Sequence, residues 1–273
     1  MLHFSKMHSL GNDFMVIDGV SESAKFDTEQ VALWGDRQRG IGFDQLLVVA
    51  PPSDPDCDFD YLIFNADGSE AEQCGNGTRC VTDFVRRRGL TQQSELRWRS
   101  KGGITRTAIE DSGLIETWMP EPQFDHQSVP FCAASEAEPE VLNTALGTFQ
   151  VLPVSMGNPH AVVFVDDVIN LDVAGIGQAL SNHSAFPERA NVGFCQVIND
   201  SFIRLRVFER GAAETQACGS GACAAVAAGR HSQRLSNRVK VSLPGGKLRV
   251  EWPNAQGPMK LVGDSTFVYQ GQL

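Results

Sequence analysis

Short β-branched and apolar blocks separated by turn residues dominate this chain, and helix-compatible spacing interrupts them at four places. Residues 13–18 read as a first strand, with Phe14, Val16 and Ile17 in its run. Asp27 then stands as an N-cap with Gln30 completing a capping box, so a helix is expected through Trp34 to about Arg37. Strands follow at 45–49, closed by Pro51-Pro52, and at 61–64, which ends in the turn signature Asn65-Ala66-Asp67-Gly68. The next helix carries Cys80, Val81, Phe84 and Val85. Arg86, Arg87 and Arg88 complement its C-terminal dipole, and Gly89 suits the position after the cap. Blocks at 96–99, 104–109 and 114–118, with turns at Gly102-Gly103 and Asp111-Ser112-Gly113, predict an antiparallel meander.

The second half repeats this plan. Strands are expected at 149–154, 161–165, 191–197, 202–208, 239–243, 246–252 and 267–269. Helices are expected at 173–181 and over the apolar run that begins at Ala222. Residues 120–139 are rich in Pro, Glu, Gln and Ser, and the start of this stretch reads as a domain boundary. Residues 1–118 then precede the boundary and the residues from 119 on follow it.

Three blocks recur in the same order. Gly11-Asn12-Asp13-Phe14 returns as Gly157-Asn158-Pro159-His160, and Gly42-Phe43-Asp44-Gln45 as Gly193-Phe194-Cys195-Gln196. Glu70-Ala71-Glu72-Gln73-Cys74-Gly75-Asn76-Gly77 returns as Glu214-Thr215-Gln216-Ala217-Cys218-Gly219-Ser220-Gly221. The spacing from Asn to Cys is 74 − 12 = 62 in one copy and 218 − 158 = 60 in the other. This is an internal duplication, and two copies of about 120–130 residues make two similar domains rather than a solenoid.

Composition is that of a globular protein, with 42% apolar and 21% charged residues. The net charge of −10 argues against a nucleic-acid or anionic-membrane partner, but not against an anionic small substrate, which needs only local donors. Seven cysteines, an odd number without a disulfide-framework spacing, point to a reducing compartment. The N-terminus lacks the apolar run of a signal peptide and no apolar stretch approaches the length of a membrane span, so a cytoplasmic protein is expected.

Cys57, Cys132 and Cys195 read as buried small hydrophobes, and Cys80 and Cys223 as core positions inside helices. Cys74 and Cys218 differ. Each stands at a turn that opens a helix, where the dipole lowers a thiol pKa and the N–H groups of Gly-x-Gly can hold a carboxylate. The Cys-x5-Cys and Cys-x4-Cys spacings are poor for zinc. A redox pair remains open, yet it has no need of a carboxylate-binding turn beside each sulfur. Two thiols on opposite sides of one carbon, one taking and one giving a proton, account for both the duplication and the turns.

Along nearly its whole length the chain resembles the diaminopimelate epimerases. The resemblance is carried by Lys6-Met7-His8-Ser9-Leu10-Gly11-Asn12-Asp13-Phe14, Gly42-Phe43-Asp44-Gln45, Phe64-Asn65-Ala66-Asp67-Gly68-Ser69 and Cys74-Gly75-Asn76-Gly77. It continues in Gly157-Asn158-Pro159-His160, Pro187-Glu188-Arg189-Ala190-Asn191 and the segment from Glu209 to Gly221. Ser9 and Ala213 stand where that family usually has Gly. The resemblance implies an α/β (α+β) fold of two pseudo-symmetric domains, residues 1–118 plus 263–273 and residues 119–262, each a mixed sheet curled around a central helix, with the active site in the cleft between them. It also implies interconversion of LL- and meso-diaminopimelate, on the route to lysine and peptidoglycan, without pyridoxal phosphate or metal. Cys218 would be the base for the LL substrate and Cys74 the acid. His160 and Glu209 would tune the thiols, and Glu209 would also bind the α-ammonium. Gly75, Asn76, Gly219 and Ser220 would hold the α-carboxylate, Arg210, Asn65, Asn158 and Asn191 the distal end, and Asn12 and Gln45 would complete the set. Tyr269 resembles a dimer-interface tyrosine, so a homodimer is expected. Another cofactor-independent racemase of the proline racemase type, a thiol redox protein and a binding module are the alternatives.

Overall fold

Leu10 and Gly11 both hold positive φ, 55° and 83°. Their two-residue turn joins β1 (His3–Ser9) to β2 (Asn12–Asp18) as a hairpin, with Ser9 opposite Asn12. The structure, a computed structural model, describes residues 1–23, 25–72, 74–132 and 139–273. It forms two compact units, Met1–Trp118 with Val262–Leu273, and Met119–Leu261.

In the first unit β2 pairs in parallel with β3 (Gln45–Ala50), and the crossover between them carries α1 (Thr28–Gly35). The expected capping box is present: Asp27 accepts from the Gln30 backbone while the Gln30 side chain accepts from the Asp27 backbone. β3 continues antiparallel to β4 (Phe59–Asn65), which pairs with the short β5 (Glu70–Ala71). β4 also pairs in parallel with β6 (Glu95–Ser100), and β7 (Gly103–Ile109) and β8 (Ile115–Met119) complete the expected meander. α2 (Gly75–Arg87) is the crossover from β4 to β6. Its face of Cys80, Val81, Phe84 and Val85 is packed on every side by Met7, Phe14, Leu47, Tyr61 and Trp98, one from each of β1 to β4 and β6. The sheet therefore curls around α2, and each such apolar side chain contributes about 1.5–3 kcal/mol by leaving water.

The second unit has the same connections. β10 (Gly147–Ser155) and β11 (Pro159–Phe164) form the hairpin. β11 runs parallel to β12 (Asn191–Asn199) across α3 (Val173–Ser181). β13 (Phe202–Glu209) pairs with the short β14 (Ala213–Thr215) and, in parallel, with β15 (Arg238–Leu243), which continues to β16 (Gly246–Glu251). α4 (Gly219–His231) is the central helix, buried on all sides from Gly221 to Gly229. That is why its sequence is a run of small residues rather than an amphipathic stripe. β9 (Glu140–Thr144) flanks β10 as β18 (Thr266–Gln272) flanks β1, and β17 (Met259–Gly263) ends the second half. Among the described residues no helix is long and apolar enough to cross a membrane.

Three expectations need correction, and the strands β5, β9, β14 and β17 were also not foreseen. β1 was not foreseen, because Ser5, Lys6 and Ser9 break its apolar pattern and are nevertheless buried; Lys6 is accommodated by Asp13 at 2.5 Å and by the Gly42 carbonyl. α1 ends at Gly35 rather than about Arg37, since Ile41 and Gly42 turn back to donate to the Trp34 carbonyl. The boundary expected at the start of residues 120–139 is the division between Trp118 and Met119; beyond it Val129 and Phe131 lie in the second unit's core and Gln123 bridges to Ser155, while residues 133–138 lie outside the described residues. Cys132 is exposed, whereas Cys57, Cys80, Cys195 and Cys223 are buried.

The turn from β13 to β14 is strained. Gly211 takes φ 87° without cost, but Ala213 takes φ 60°, the left-handed region that a Cβ disfavours. Ala213→Gly should therefore stabilise the second unit by about 1 kcal/mol. A urea titration that shows no gain, or a loss, would mean that the turn is not strained at this residue.

Candidate active site

Cys74 and Cys218 occupy the same place in the two units, the N-cap of the central helix. Both have extended backbones, φ −148° and −123°. Each sulfur accepts the N–H three residues on, Gly77 at 3.3 Å and Gly221 at 3.4 Å, as a serine oxygen would in an ordinary cap. Glycine relieves a tight fit at that third position. A Cβ on Gly77 would stand 3.2 Å from Leu47 of β3, and one on Gly221 would stand 3.1 Å from Val207 of β13. The helix end is thus pressed onto the sheet, and a helix leaves its first N–H donors without intrahelical acceptors.

The two sulfurs differ in their polar neighbours. In the first unit the Cys74 Sγ lies 3.8 Å from Asn12 Oδ1, and Asn76 Nδ2 donates to the same oxygen at 3.3 Å. Asn12 in turn donates to Asp44 at 2.8 Å. Gln45 and Asn65 face each other across β3 and β4 and are bonded at 3.1 Å. Gln45 Oε1 is buried with no partner among the described residues. In the second unit the Cys218 Sγ lies 3.5 Å from the Ser220 hydroxyl. Glu209, held by the Thr215 hydroxyl at 2.5 Å, is the charged neighbour of this thiol. Glu209 is the last residue of β13.

Burial, and after it the Glu209 charge, pushes the Cys218 thiol well above its ordinary range. This corrects the expectation from the helix dipole: a sulfur 5% exposed loses more by desolvation than the helix end returns. His160 is 1% exposed on β11, and its Nε2 meets Asn158 Oδ1 at 3.0 Å while its Nδ1 is buried without a partner among the described residues. Burial, then the positive charge of Arg210, holds it down at about 3. The charge acting on Cys218 thus comes from Glu209, and the contact the structure gives His160 is Asn158. Asn191, paired with His160 across β11 and β12, accepts the Arg210 backbone N–H at 3.0 Å. The exposed Arg210 guanidinium donates to the Glu188 carbonyl at 3.0 Å. Tyr269, on β18, is 42% exposed and packs edge-on against Phe4.

The glutamates four residues before each cysteine serve the frame. Glu70 pairs with Lys101 at 3.0 Å, and Glu214 takes both arms of Arg206, at 2.6 and 2.8 Å. Asp44, Arg79 and Thr215 were missed from the sequence. Asp44 and Thr215 lie within the recurring blocks, which was the available signal; Arg79 lies outside them, and the second copy has Cys223 at its place.

Stability should carry the mark of His160. The folded ring stays neutral down to about pH 3, whereas an unfolded histidine binds a proton near 6.5. Between those values the unfolded chain holds the extra proton, so stability rises with pH and is lost as pH falls from about 6.5 toward 3. His160→Gln should flatten that part of the urea-midpoint profile; an unchanged slope would mean that the ring titrates normally when folded.

Residues 4–124 and 152–268 match the family model described as Diaminopimelate epimerase. Solved structures share the fold. A phenazine biosynthesis protein of the PhzF family from Bacillus anthracis is 16% identical, with TM-score 0.70, over 100% of this chain and 98% of its own. A probable proline racemase from Agrobacterium radiobacter K84 is 16% identical, with TM-score 0.69, over 100% and 93%. A hydroxyproline epimerase from Agrobacterium vitis is 15% identical, with TM-score 0.69, over 99% and 91%.

Proposed function

The chain belongs to the diaminopimelate epimerase family, and on that footing we propose that it is an isomerase that interconverts LL- and meso-diaminopimelate by inverting one α-carbon. The observation that carries this reading is the pair of sulfur-capped central helices, each presenting a thiol beside backbone donors suited to a carboxylate.

The α-proton of an amino acid is a weak acid, so its removal needs a strong base and a place for the resulting charge. In the LL to meso direction Cys218, as thiolate, takes the proton from one face, and the Cys74 thiol gives its proton to the other. The C–H electron pair passes transiently onto the carbon and its carboxylate, then forms the new C–H bond. The N–H groups of Gly75, Asn76, Gly219 and Ser220 hold the carboxylate meanwhile. At the end Cys218 is a thiol and Cys74 a thiolate, the state required for the reverse reaction. Glu209 gives the first step its trigger. In the empty enzyme its charge opposes the Cys218 thiolate; a substrate ammonium bound to Glu209 offsets that charge and lets the thiol ionise.

Arg210 and the amides of Asn65, Asn158 and Asn191, with Asn12 and Gln45, are assigned to substrate binding, chiefly of the distal amino-acid end. A guanidinium there suits a second carboxylate. We further propose cytoplasmic lysine and peptidoglycan precursor synthesis as the setting, chemistry that needs no pyridoxal phosphate, and a homodimer that includes the exposed Tyr269.

The direct test is an assay of meso-diaminopimelate formation from the LL isomer in D2O, with proline and hydroxyproline as controls. Early product should carry deuterium at the inverted carbon and unconverted substrate little. Rapid exchange into substrate without inversion would point to a single base, and turnover of proline alone would transfer the reading to a proline racemase. Arg210→Ala should lower kcat/KM for diaminopimelate roughly 10- to 150-fold, the worth of one charge-assisted contact. A smaller loss would remove Arg210 from the distal site.

A further inference from the structure

We infer that Arg79 is a positioning residue for Cys74: through Asn76 and Asn12 it orients the amide oxygen toward which the thiol donates in the substrate-free enzyme. This rests on the reading of Cys74 as the acid, and it adds a residue and a mechanism to it.

Arg79 is fully buried on α2. A buried guanidinium offers donors only and needs acceptors for them. It donates to the Ser9 hydroxyl from Nη2 at 2.8 Å and from Nε at 3.2 Å, and to the Gly75 carbonyl at 3.2 Å. It also donates to the Asp264 carbonyl at 3.4 Å, which Ser9 itself reaches at 2.7 Å. Ser9 is one of the two departures noted in the sequence, and its hydroxyl is a principal anchor of this cation. From Nη2 it also donates to Asn76 Oδ1 at 2.5 Å.

That last bond has a consequence. With its oxygen facing a group that can only donate, Asn76 must turn its NH2 away, and it reaches Asn12 Oδ1 at 3.3 Å. On the far side the Asp44 carboxylate, which can only accept, takes the Asn12 NH2 at 2.8 Å. Both amides are thereby fixed in one orientation. The Asn12 oxygen lies 3.8 Å from the Cys74 Sγ, a contact in which sulfur must be the donor and therefore a thiol. The second unit lacks the device: Cys223 stands five residues after Cys218, where Arg79 stands five after Cys74, and Ser220 and Cys195 replace Asn76 and Asp44 in the recurring blocks.

Two ionisable groups that act on the sulfur stay neutral through the range in which a thiol titrates. Tyr61 on β4 and Cys80 on α2 are each pushed up to about 12 by burial. Around Asn12, burial of Asp13 is outweighed by hydrogen bonds from Arg37 and Lys6, which hold it at about 2, and Arg37 also binds Asp44.

The test is the alkylation rate of Cys74 in substrate-free protein, measured with iodoacetamide from about pH 6 to 10 and read by peptide mass spectrometry. Asn12→Ala should raise the rate below the thiol's midpoint roughly 2- to 10-fold, the worth of one hydrogen bond. Arg79→Met should shift it in the same direction, and Arg79→Lys, which keeps a cationic donor, should restore much of the wild-type profile. Cys218 should alkylate as before in all three. A folded Arg79→Met protein with an unchanged Cys74 profile, or with Cys218 accelerated in parallel, would overturn the inference. If Arg79→Met does not fold, Asp44→Ala on its exposed side chain decides the matter: it must raise the Cys74 rate, and an unchanged rate counts against the inference equally. Alkylation needs no turnover, so the outcome stands apart from whether diaminopimelate is the substrate.

Discussion

The structure depends on how a helix that is surrounded by a sheet can begin. Its first N–H groups emerge inside the protein, where an unmet donor costs about 1–3 kcal/mol. In both units a cysteine sulfur takes the third of those donors, at 3.3 and 3.4 Å. Serine or aspartate would be the stronger cap. A sulfur at this position yields some capping strength in return for a titratable group held rigidly at a donor-rich helix end. The glycines at Gly77 and Gly221 suit the same constraint, because a side chain there would press within about 3.2 Å of Leu47 or Val207 as the helix end sits against the sheet.

A common frame does not make the two thiols chemically equal. The hairpin, the parallel crossover and the central helix recur with the same pairings in each unit. The polar groups laid on that frame diverge. Cys74 is set among amides oriented by a guanidinium and a carboxylate at a distance. Cys218 stands beside a hydroxyl and a carboxylate. Duplication supplied the geometry twice, and different residues at the same positions give each thiol its own polar surroundings.

Much of this was legible in the sequence because it is local. The Asp27 capping box, the span of α3 and the Cys-Gly-x-Gly turns are written in neighbouring residues, and the structure has each of them. What was hidden depends on burial by distant segments. Lys6 looks like a surface residue until Asp13 pairs with it, and Arg79 like a solvent-facing cation until Ser9 and the Asp264 carbonyl enclose it. The thiol of Cys218 shows the conflict most directly. The local rule of the helix dipole predicts a lowered pKa, and tertiary burial with the Glu209 charge reverses it.

That reversal fits the chemistry better than the local rule would. A thiolate kept permanently available inside the protein would be costly to desolvate and open to side reactions. A thiol whose ionisation is opposed by one carboxylate keeps its proton until a cation arrives to offset that carboxylate. Glu209 is placed for such a role by two features that look like defects in isolation. Ala213 holds a strained φ of 60° opposite Glu209 in the β13–β14 pair. Thr215 spends its hydroxyl on the Glu209 carboxylate rather than on the sheet. Strain and a diverted hydrogen bond at the end of one strand thus fix where a negative charge stands, and under the proposed reaction that charge would set when the buried sulfur acts as a base.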